Sequence, residues 1–294
     1  MRKIAFLTIL TALIMTSCCN QSQKEKAAIA KLDTMFQELY PADEPGAAVL
    51  ILKGDEIVYD KGFGIADLET GAKIDGNTFF NIASVSKQFT AVAMLQLAEQ
   101  GKISLQDPVK KYFPEFQADF FNDITIAHLL SHTSGIGDYR PREDRNFVLY
   151  ATDEQCYKYM ETLDKLHFTP GTEYQYMNPT FQLCYIIIQR VTGQSFEQYM
   201  KENIFTPAGM DQTVYFSPDK NIPNMSHAYI PVEEKESASN TDSDRTPEAQ
   251  AAAKKQQESA PVIGNWKEYD YGQETFFATK ADGGIYTSTH QFVQ

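Results

Sequence analysis

Hydrophobic and polar positions change their spacing along the chain. Residues 47–67, AAVLILKGDEIVYDKGFGIAD, contain two short apolar runs joined at KGDE, which predicts a β-hairpin. Residues 84–100 are almost wholly apolar over helical length and are followed by Gly101, which predicts an α-helix. A shorter helix is predicted to begin near Thr125 and to stop at Gly135. The middle of the chain is therefore mostly helical, with strands on either side.

Helix-capping residues mark two further helices. Asn178 is a candidate N-cap, Pro179 suits the first helical position, and Gly193 lies where that helix would end. Ser195 and Gln198 have the spacing of a capping box at the start of the next helix.

The first 17 residues have the pattern of a secretory signal. Arg2 and Lys3 precede the apolar run IAFLTILTALIM, and small residues follow. The run is shorter than the roughly 20 residues that span a bilayer. We therefore predict an exported protein.

The sequence LIMTSC at the end of this signal resembles a bacterial lipoprotein box, which implies a lipid anchor on Cys18 and a place in the cell envelope. The alternative is an ordinary signal peptide in which Cys18 is incidental. The predicted organisation is a signal peptide over 1–17, a tether over 18–29 and one folded domain over 30–294. Residues 231–261 form a solvated insertion in that domain, because the segment has no aromatic residue and almost no large aliphatic one.

The charge and the cysteine content limit the classes of partner and of disulfide-bonded fold that fit the chain. Without Arg2 and Lys3 the chain has 24 cations against 39 acids, a net charge of −15, which disfavours nucleic acid as a partner. Cys156 and Cys184 are too few for a disulfide framework, and Cys184 fits a buried apolar position. A single bridge between them stays open.

Ser84 and Lys87 form an S-x-x-K pair at the start of the apolar helix. Residues three apart share a helix face, so the lysine can reach the serine hydroxyl. In apolar surroundings a neutral amine can take the serine proton, while the helix N-terminus favours an oxyanion. A second match, SPDK at Ser217–Lys220, has no apolar helix after it. The context therefore selects Ser84.

Four segments in order, NIASVSKQFTAVAML, ITIAHLLSHTSGIGDY, TPGTEYQYMNP and ADGGIYTST, resemble the serine β-lactamase and penicillin-binding protein superfamily. They are most similar to its class C β-lactamase, D,D-carboxypeptidase and esterase branch. The resemblance implies an α/β (α+β) fold, with an antiparallel sheet lobe and an all-α lobe. It also implies a monomer that needs no metal or cofactor and acts on a D-alanyl peptide, β-lactam or small ester.

The same resemblance assigns roles to four residues. It makes Ser84 the acylated nucleophile and Lys87 its general base. Tyr176 and Asn178 match the family's Tyr-x-Asn motif, in which the phenol shares proton transfer with the lysine and the amide holds both the lysine and the substrate carbonyl.

Other interpretations of these residues remain open. Tyr176 could be a packed aromatic and Asn178 only an N-cap. His128 and His132 are spaced i, i+4, but they lack the glutamate of H-E-x-x-H and a clear third ligand, so helix packing explains them better than a metal. No G-x-S-x-G occurs, which argues against a Ser-His-Asp mechanism.

One departure from the family stands out. Its third motif, Lys-Thr-Gly or a variant such as His-x-Gly, lies on a strand beyond the ADGGIYTST region, and the sequence ends at Gln294 before such a strand. This suggests that the C-terminal sheet strands are missing and that the chain is a fragment. Two hypotheses follow: a serine hydrolase with an acyl-enzyme intermediate, or an impaired lipoprotein fragment that at most binds cell-wall peptide.

Overall fold

The computed structural model describes residues 23–141, 147, 151–216, 221–232, 262–268 and 279–293. The predicted signal, Cys18, the second S-x-x-K match and nearly all of the predicted insertion lie outside these residues. The chain divides into two compact units, Met1–Gly76 and Asn77–Gln294.

The described part of the first unit, from residue 23 onward, contains one helix and four strands. These are α1 (23–39), β1 (Ala47–Lys53), β2 (Glu56–Phe63), β3 (Ile65–Asp67) and β4 (Ala72–Lys73). β1 and β2 form the predicted antiparallel hairpin, with Ala47 opposite Phe63. A register shift between Ile51 and Leu52, which the sequence pattern does not predict, bends the hairpin near its tip.

Helix α1 packs on one face of this hairpin. The ring of Phe36 lies 5.4 Å from that of Phe63 and 6.2 Å from that of Tyr59, between centroids. Asp33 accepts hydrogen bonds of 2.7 Å from Tyr59 Oη and Lys61 Nζ. A two-stranded hairpin is marginal in water by itself, so these contacts provide support that it needs. Residues 23–29, predicted as part of a tether, instead belong to this helix.

Gly62 on β2 has no room for a side chain. A Cβ atom there would lie 1.9 Å from the carbonyl oxygen of Ile74. We expect Gly62→Ala to lower the free energy of unfolding by about 1 to 3 kcal/mol, because the backbone must move apart. Urea unfolding measures this change. Gly283→Ala is the control, since its Cβ would meet nothing closer than 3.8 Å; equal losses in both variants would contradict the steric explanation.

The second unit contains the remaining described elements. Its helices are α2 (Ser86–Glu99), α3 (Val109–Tyr112), α4 (Ile126–Leu130), α5 (Asp153–Lys158), α6 (Pro179–Thr192), α7 (Phe196–Met200) and α8 (Thr289–Phe292). Its strands are β5 (Phe80–Asn81), β6 (Val214–Tyr215), β7 (Tyr229–Pro231), β8 (Val262–Ile263), β9 (Trp266–Glu268) and β10 (Ile285–Thr287). β10 pairs antiparallel with both β5 and β6, and β9 pairs antiparallel with both β7 and β8.

Helix α6 forms the centre of the helical core. All its side chains from Pro179 to Ile188 are buried, and α2, α4, α5 and α7 pack around it. Cys184 is one of these side chains, in agreement with its prediction as a buried apolar position, and Cys156 is buried as well. Both thiols are free, so the open possibility of a bridge between them is excluded. The fold is mixed α/β of the α+β kind, with small antiparallel sheets and a helical core, as predicted.

Several helix ends differ from the prediction. Helix α4 begins after its Thr125 cap but ends at Leu130, well before Gly135. Ser195 Oγ accepts a hydrogen bond from the Gln198 N–H, but the Gln198 side chain donates to Glu202 and does not accept from the Ser195 N–H, so the capping box is incomplete. None of the described helices is long and apolar enough to cross a bilayer.

Candidate active site

Ser84 lies on a tight turn just before helix α2. Residues Ala83–Val85 form one turn of 3-10 helix, and α2 continues from Ser86. Ala83 has φ of 44°, a left-handed conformation that costs a residue with a Cβ about 1 to 2 kcal/mol. Its N–H donates to Asn81 Oδ1 at 2.7 Å, which helps to hold the turn. The serine is therefore presented by a strained backbone at a helix N-terminus.

The Lys87 side chain is buried, and its amine lies beside the serine. Nζ donates to Ser84 Oγ at 3.0 Å and to the backbone carbonyl of Asp282 at 2.7 Å. It also lies 5.0 Å from the ring centroid of Tyr176 and 5.6 Å from that of Phe181. These hydrogen bonds offset the cost of burying the amine.

Tyr176 completes a three-residue hydrogen-bond chain. Its Oη donates to Ser84 Oγ at 2.6 Å, so the serine hydroxyl lies between the phenol and the lysine amine. The Tyr176 side chain is partly open to solvent and is not a buried packing aromatic. The structure therefore brings Ser84, Lys87 and Tyr176 together in the arrangement that the sequence motifs suggest.

Asn178 is near the site but makes different contacts from those expected. It stands at the start of α6 with helical φ and ψ, and its side chain makes no capping hydrogen bond. Its Oδ1 is buried and has no partner among the described residues, so it does not hold Lys87 here. The carbonyl of Asp282 takes that place. Asn178 is therefore the N-cap residue of α6, as predicted, but its side chain does not cap the helix.

His132 lies beneath Tyr176. The ring centroids of the two residues are 4.5 Å apart, and His132 Nδ1 accepts a hydrogen bond of 3.2 Å from the Met177 N–H. His132 follows α4 and has φ of 59°, so it does not share a helix face with His128. The helical basis of the i, i+4 comparison is thus wrong, although packing does account for the His132 ring. Among the residues that the structure describes, no group of three His, Cys, Asp or Glu side chains is placed to hold a metal.

Two acidic residues close to the lysine were missed by sequence reasoning. Asp282 supplies the carbonyl that accepts from Lys87, and Asp153 accepts hydrogen bonds from the N–H groups of Lys280 and Ala281 just before it. The ADGG segment pointed to this part of the chain. Every residue has a backbone carbonyl, however, so the sequence does not show which carbonyl accepts a hydrogen bond from Lys87. Nothing in the pattern around Asp153 distinguishes it from a surface acid.

The geometry of a serine flanked by a buried lysine and a tyrosine is that of a serine acyl-transfer site. A family model described as Beta-lactamase matches residues 32–293, and the chain belongs to this family.

The chain is also similar to named proteins. The chain is 33% identical over 202 residues to Protein flp of Staphylococcus aureus (strain MW2), a match covering 67% of this chain and 39% of the relative. It is 32% identical over 207 residues to Penicillin-binding protein 4* of Bacillus subtilis (strain 168), covering 68% of this chain and 45% of the relative. The matches therefore span less than half the length of these relatives.

A solved structure agrees as well. The penicillin binding protein from Bacillus halodurans superposes with a TM-score of 0.66 at 27% identity, covering 88% of this chain and 69% of that one.

The half-buried His132 gives the site a pH-dependent stability. Burial, followed by the Lys87 charge, lowers the pKa of His132 below its ordinary 6.5. The unfolded chain therefore takes up a proton first as the pH falls, and stability is lost from about pH 6.5 down through the folded pKa. We expect His132→Asn, whose amide oxygen can still accept the Met177 N–H, to unfold with a flatter pH dependence between about pH 7 and 5. Urea midpoints across this range test it, and an unchanged slope would contradict it.

Proposed function

We propose that the protein is an exported serine hydrolase that works through an acyl-Ser84 intermediate on a D-alanyl peptide, a β-lactam or a small ester. The observation that carries this proposal is the pair of hydrogen bonds at Ser84 Oγ, 3.0 Å from Lys87 Nζ and 2.6 Å from Tyr176 Oη. Few structural roles would bring a buried amine and a partly exposed phenol to the same hydroxyl.

This geometry supports a role for each of the two partners. Lys87 in its neutral form accepts the Ser84 proton as Oγ attacks the substrate carbonyl. Tyr176 lies on the other side of the hydroxyl and passes a proton to the leaving group. Water then attacks the ester, and the same two groups remove its proton and return one to Ser84 Oγ. No proton is gained or lost over the cycle.

The developing negative charge is stabilised by the position of Ser84. The serine precedes α2, so the N–H groups of this first turn and the positive end of the helix favour an oxyanion there. Asn178 lies two residues after Tyr176 in the Tyr-x-Asn motif, and the resemblance to the family gives its amide the part of holding the substrate carbonyl. We therefore assign Asn178 to substrate binding.

The proposed substrates carry a carbonyl that a serine can attack and a group that can leave. Two of the matched relatives are named for penicillin binding, which favours β-lactams and the D-alanyl peptides that they resemble. We further propose that the chain acts as a monomer, because the site residues above all come from one chain. A lipid on Cys18 would hold it in the bacterial cell envelope.

The test is the intact mass of residues 20–294 after incubation with a penicillin and, separately, with a fluorophosphonate. We expect one adduct that maps to the peptide containing Ser84. No adduct on a protein that circular dichroism shows to be folded would overturn the proposal and favour the second hypothesis, an impaired protein that at most binds cell-wall peptide. Retention of the folded protein on immobilised peptidoglycan would then measure that binding.

A further inference from the structure

The amine of Lys87 is fixed by a backbone segment distant in sequence. The segment 280–285 makes three hydrogen bonds to helix α2. Its Asp282 carbonyl accepts from Lys87 Nζ at 2.7 Å, its Ala281 carbonyl accepts from Thr90 Oγ1 at 2.8 Å, and its Ile285 N–H donates to Ser86 Oγ at 3.2 Å. The position of the lysine therefore depends on the position of this segment.

Asp153 also binds the segment 280–285, through backbone N–H groups. It is the first residue of α5, after the Thr152 cap, and its side chain is 1% exposed. Its Oδ2 accepts the Lys280 N–H at 2.7 Å, and its Oδ1 accepts the Ala281 N–H at 3.3 Å. One carboxyl group thus binds two consecutive N–H groups that lead directly to Asp282.

Burial of the Asp153 carboxyl group has a desolvation cost that reduces the stability of the fold. Burial, and then the nearby charge of Asp282, raise the pKa of Asp153 well above its ordinary value. Arg140 lies close enough to interact with Asp282 and forms a buried ion pair of 2.8 Å with Asp138. An apolar residue would remove the desolvation cost of Asp153 but would leave the two N–H groups without acceptors. The arrangement therefore calls for a function of this carboxyl group.

We infer that Asp153 is a positioning residue for Lys87: it fixes the Lys280–Ala281 backbone and so places the Asp282 carbonyl that holds the lysine amine against Ser84. The inference rests on the proposed function, because it assigns Asp153 a part in the same acylation step. Lysine has a flexible four-carbon side chain, so a fixed acceptor is needed to confine its amine. A displacement of about 1 Å in a catalytic group can cost roughly 10²-fold in rate.

The first experiment compares Asp153→Asn with Glu154→Gln in the full chain. Asparagine keeps the shape but turns an N–H donor toward one of the two backbone N–H groups. We expect the saturating rate of Ser84 acylation by a penicillin to fall about 10- to 100-fold, with little change in the penicillin concentration at half-saturation. Glu154 is the next residue along and hydrogen bonds to Tyr185 and Gln189, so its variant should acylate at the wild-type rate. A wild-type rate in Asp153→Asn overturns the inference.

A double-mutant cycle separates positioning from a general structural effect. If Asp153 acts through Lys87, adding Asp153→Asn to Lys87→Ala should leave the residual fluorophosphonate labelling rate unchanged. A further loss of 10-fold or more in the double variant would mean that Asp153 acts elsewhere and would overturn the inference. Asp153→Ser, which keeps one acceptor and adds no amide donor, is the second variant if Asp153→Asn is unfolded at the assay temperature.

Two measurements do not depend on activity. In the wild-type protein we expect the amides of Lys280 and Ala281 to exchange with solvent as slowly as those of α6, and fast exchange would overturn the inference. In Asp153→Asn we expect an amine-specific acetylating reagent to modify Lys87 faster than in the wild type, and an unchanged rate would overturn it. If the wild type forms no penicillin adduct, the proposed function fails, while these two measurements still decide the role of Asp153.

Discussion

Replacing Ser84 with alanine is expected to abolish covalent labelling by both penicillin and fluorophosphonate. The hydroxyl is the only group of the three-residue chain that can carry an acyl group while Lys87 and Tyr176 exchange its proton. The variant loses one oxygen atom at the surface end of a turn, so its circular dichroism spectrum should match that of the wild type. Intact mass measures the adduct.

A matched control for this variant is present in the sequence itself. Ser217 begins the second S-x-x-K match, SPDK, and Ser217→Ala should be labelled at the wild-type rate. An adduct that persists in Ser84→Ala would show that another residue is the nucleophile.

Lys87→Ala is expected to slow acylation by about 10² to 10⁴, the range over which a positioned general base contributes. Among the described residues, the hydrogen-bond partner of Ser84 Oγ that remains without the amine is the Tyr176 phenol, which is itself the donor to that oxygen. Stopped-flow or quenched intact-mass kinetics with a penicillin measure the rate, and Lys220→Ala in the second S-x-x-K match is the control.

Arginine at the same position separates two explanations of the lysine. Lys87→Arg keeps a positive charge but cannot accept a proton, because guanidinium stays protonated in proteins. We expect it to be as slow as Lys87→Ala. Restoration of the rate by arginine would show that Lys87 acts through its charge and not as a base.

The local pattern predicted those parts of the fold that depend on neighbouring residues. The hairpin and the apolar helix ending before Gly101 appear where apolar runs and glycine placed them. The hairpin ends at Phe63, however, and the last predicted residues, Ile65–Asp67, pair with β4 instead. The pattern of residues did not predict the end of a helix where that end depends on a tertiary contact. Helix α4 stops at Leu130 because the chain turns at His132 to pack its ring on Tyr176, and nothing local signals that turn.

The site was predictable only in part for the same reason. Side-chain chemistry marked Ser84, Lys87, Tyr176 and Asn178, since each belongs to a recognisable motif. The acceptor for the lysine is a backbone carbonyl 195 residues away, and the carboxyl group that holds its segment comes from a third part of the chain. Spacing along a sequence carries no information about such contacts.

The 195-residue separation between Lys87 and its carbonyl acceptor has a consequence for synthesis. A ribosome adding 5 to 20 residues per second needs about 10 to 40 s to pass from one partner to the other. During that interval the serine and the lysine exist in the nascent chain, but the amine has no carbonyl to confine it. Reactivity toward a penicillin should therefore appear late in translation and report completion of the second unit, so that stalled chains of graded length would become reactive only once the segment around Asp282 has emerged.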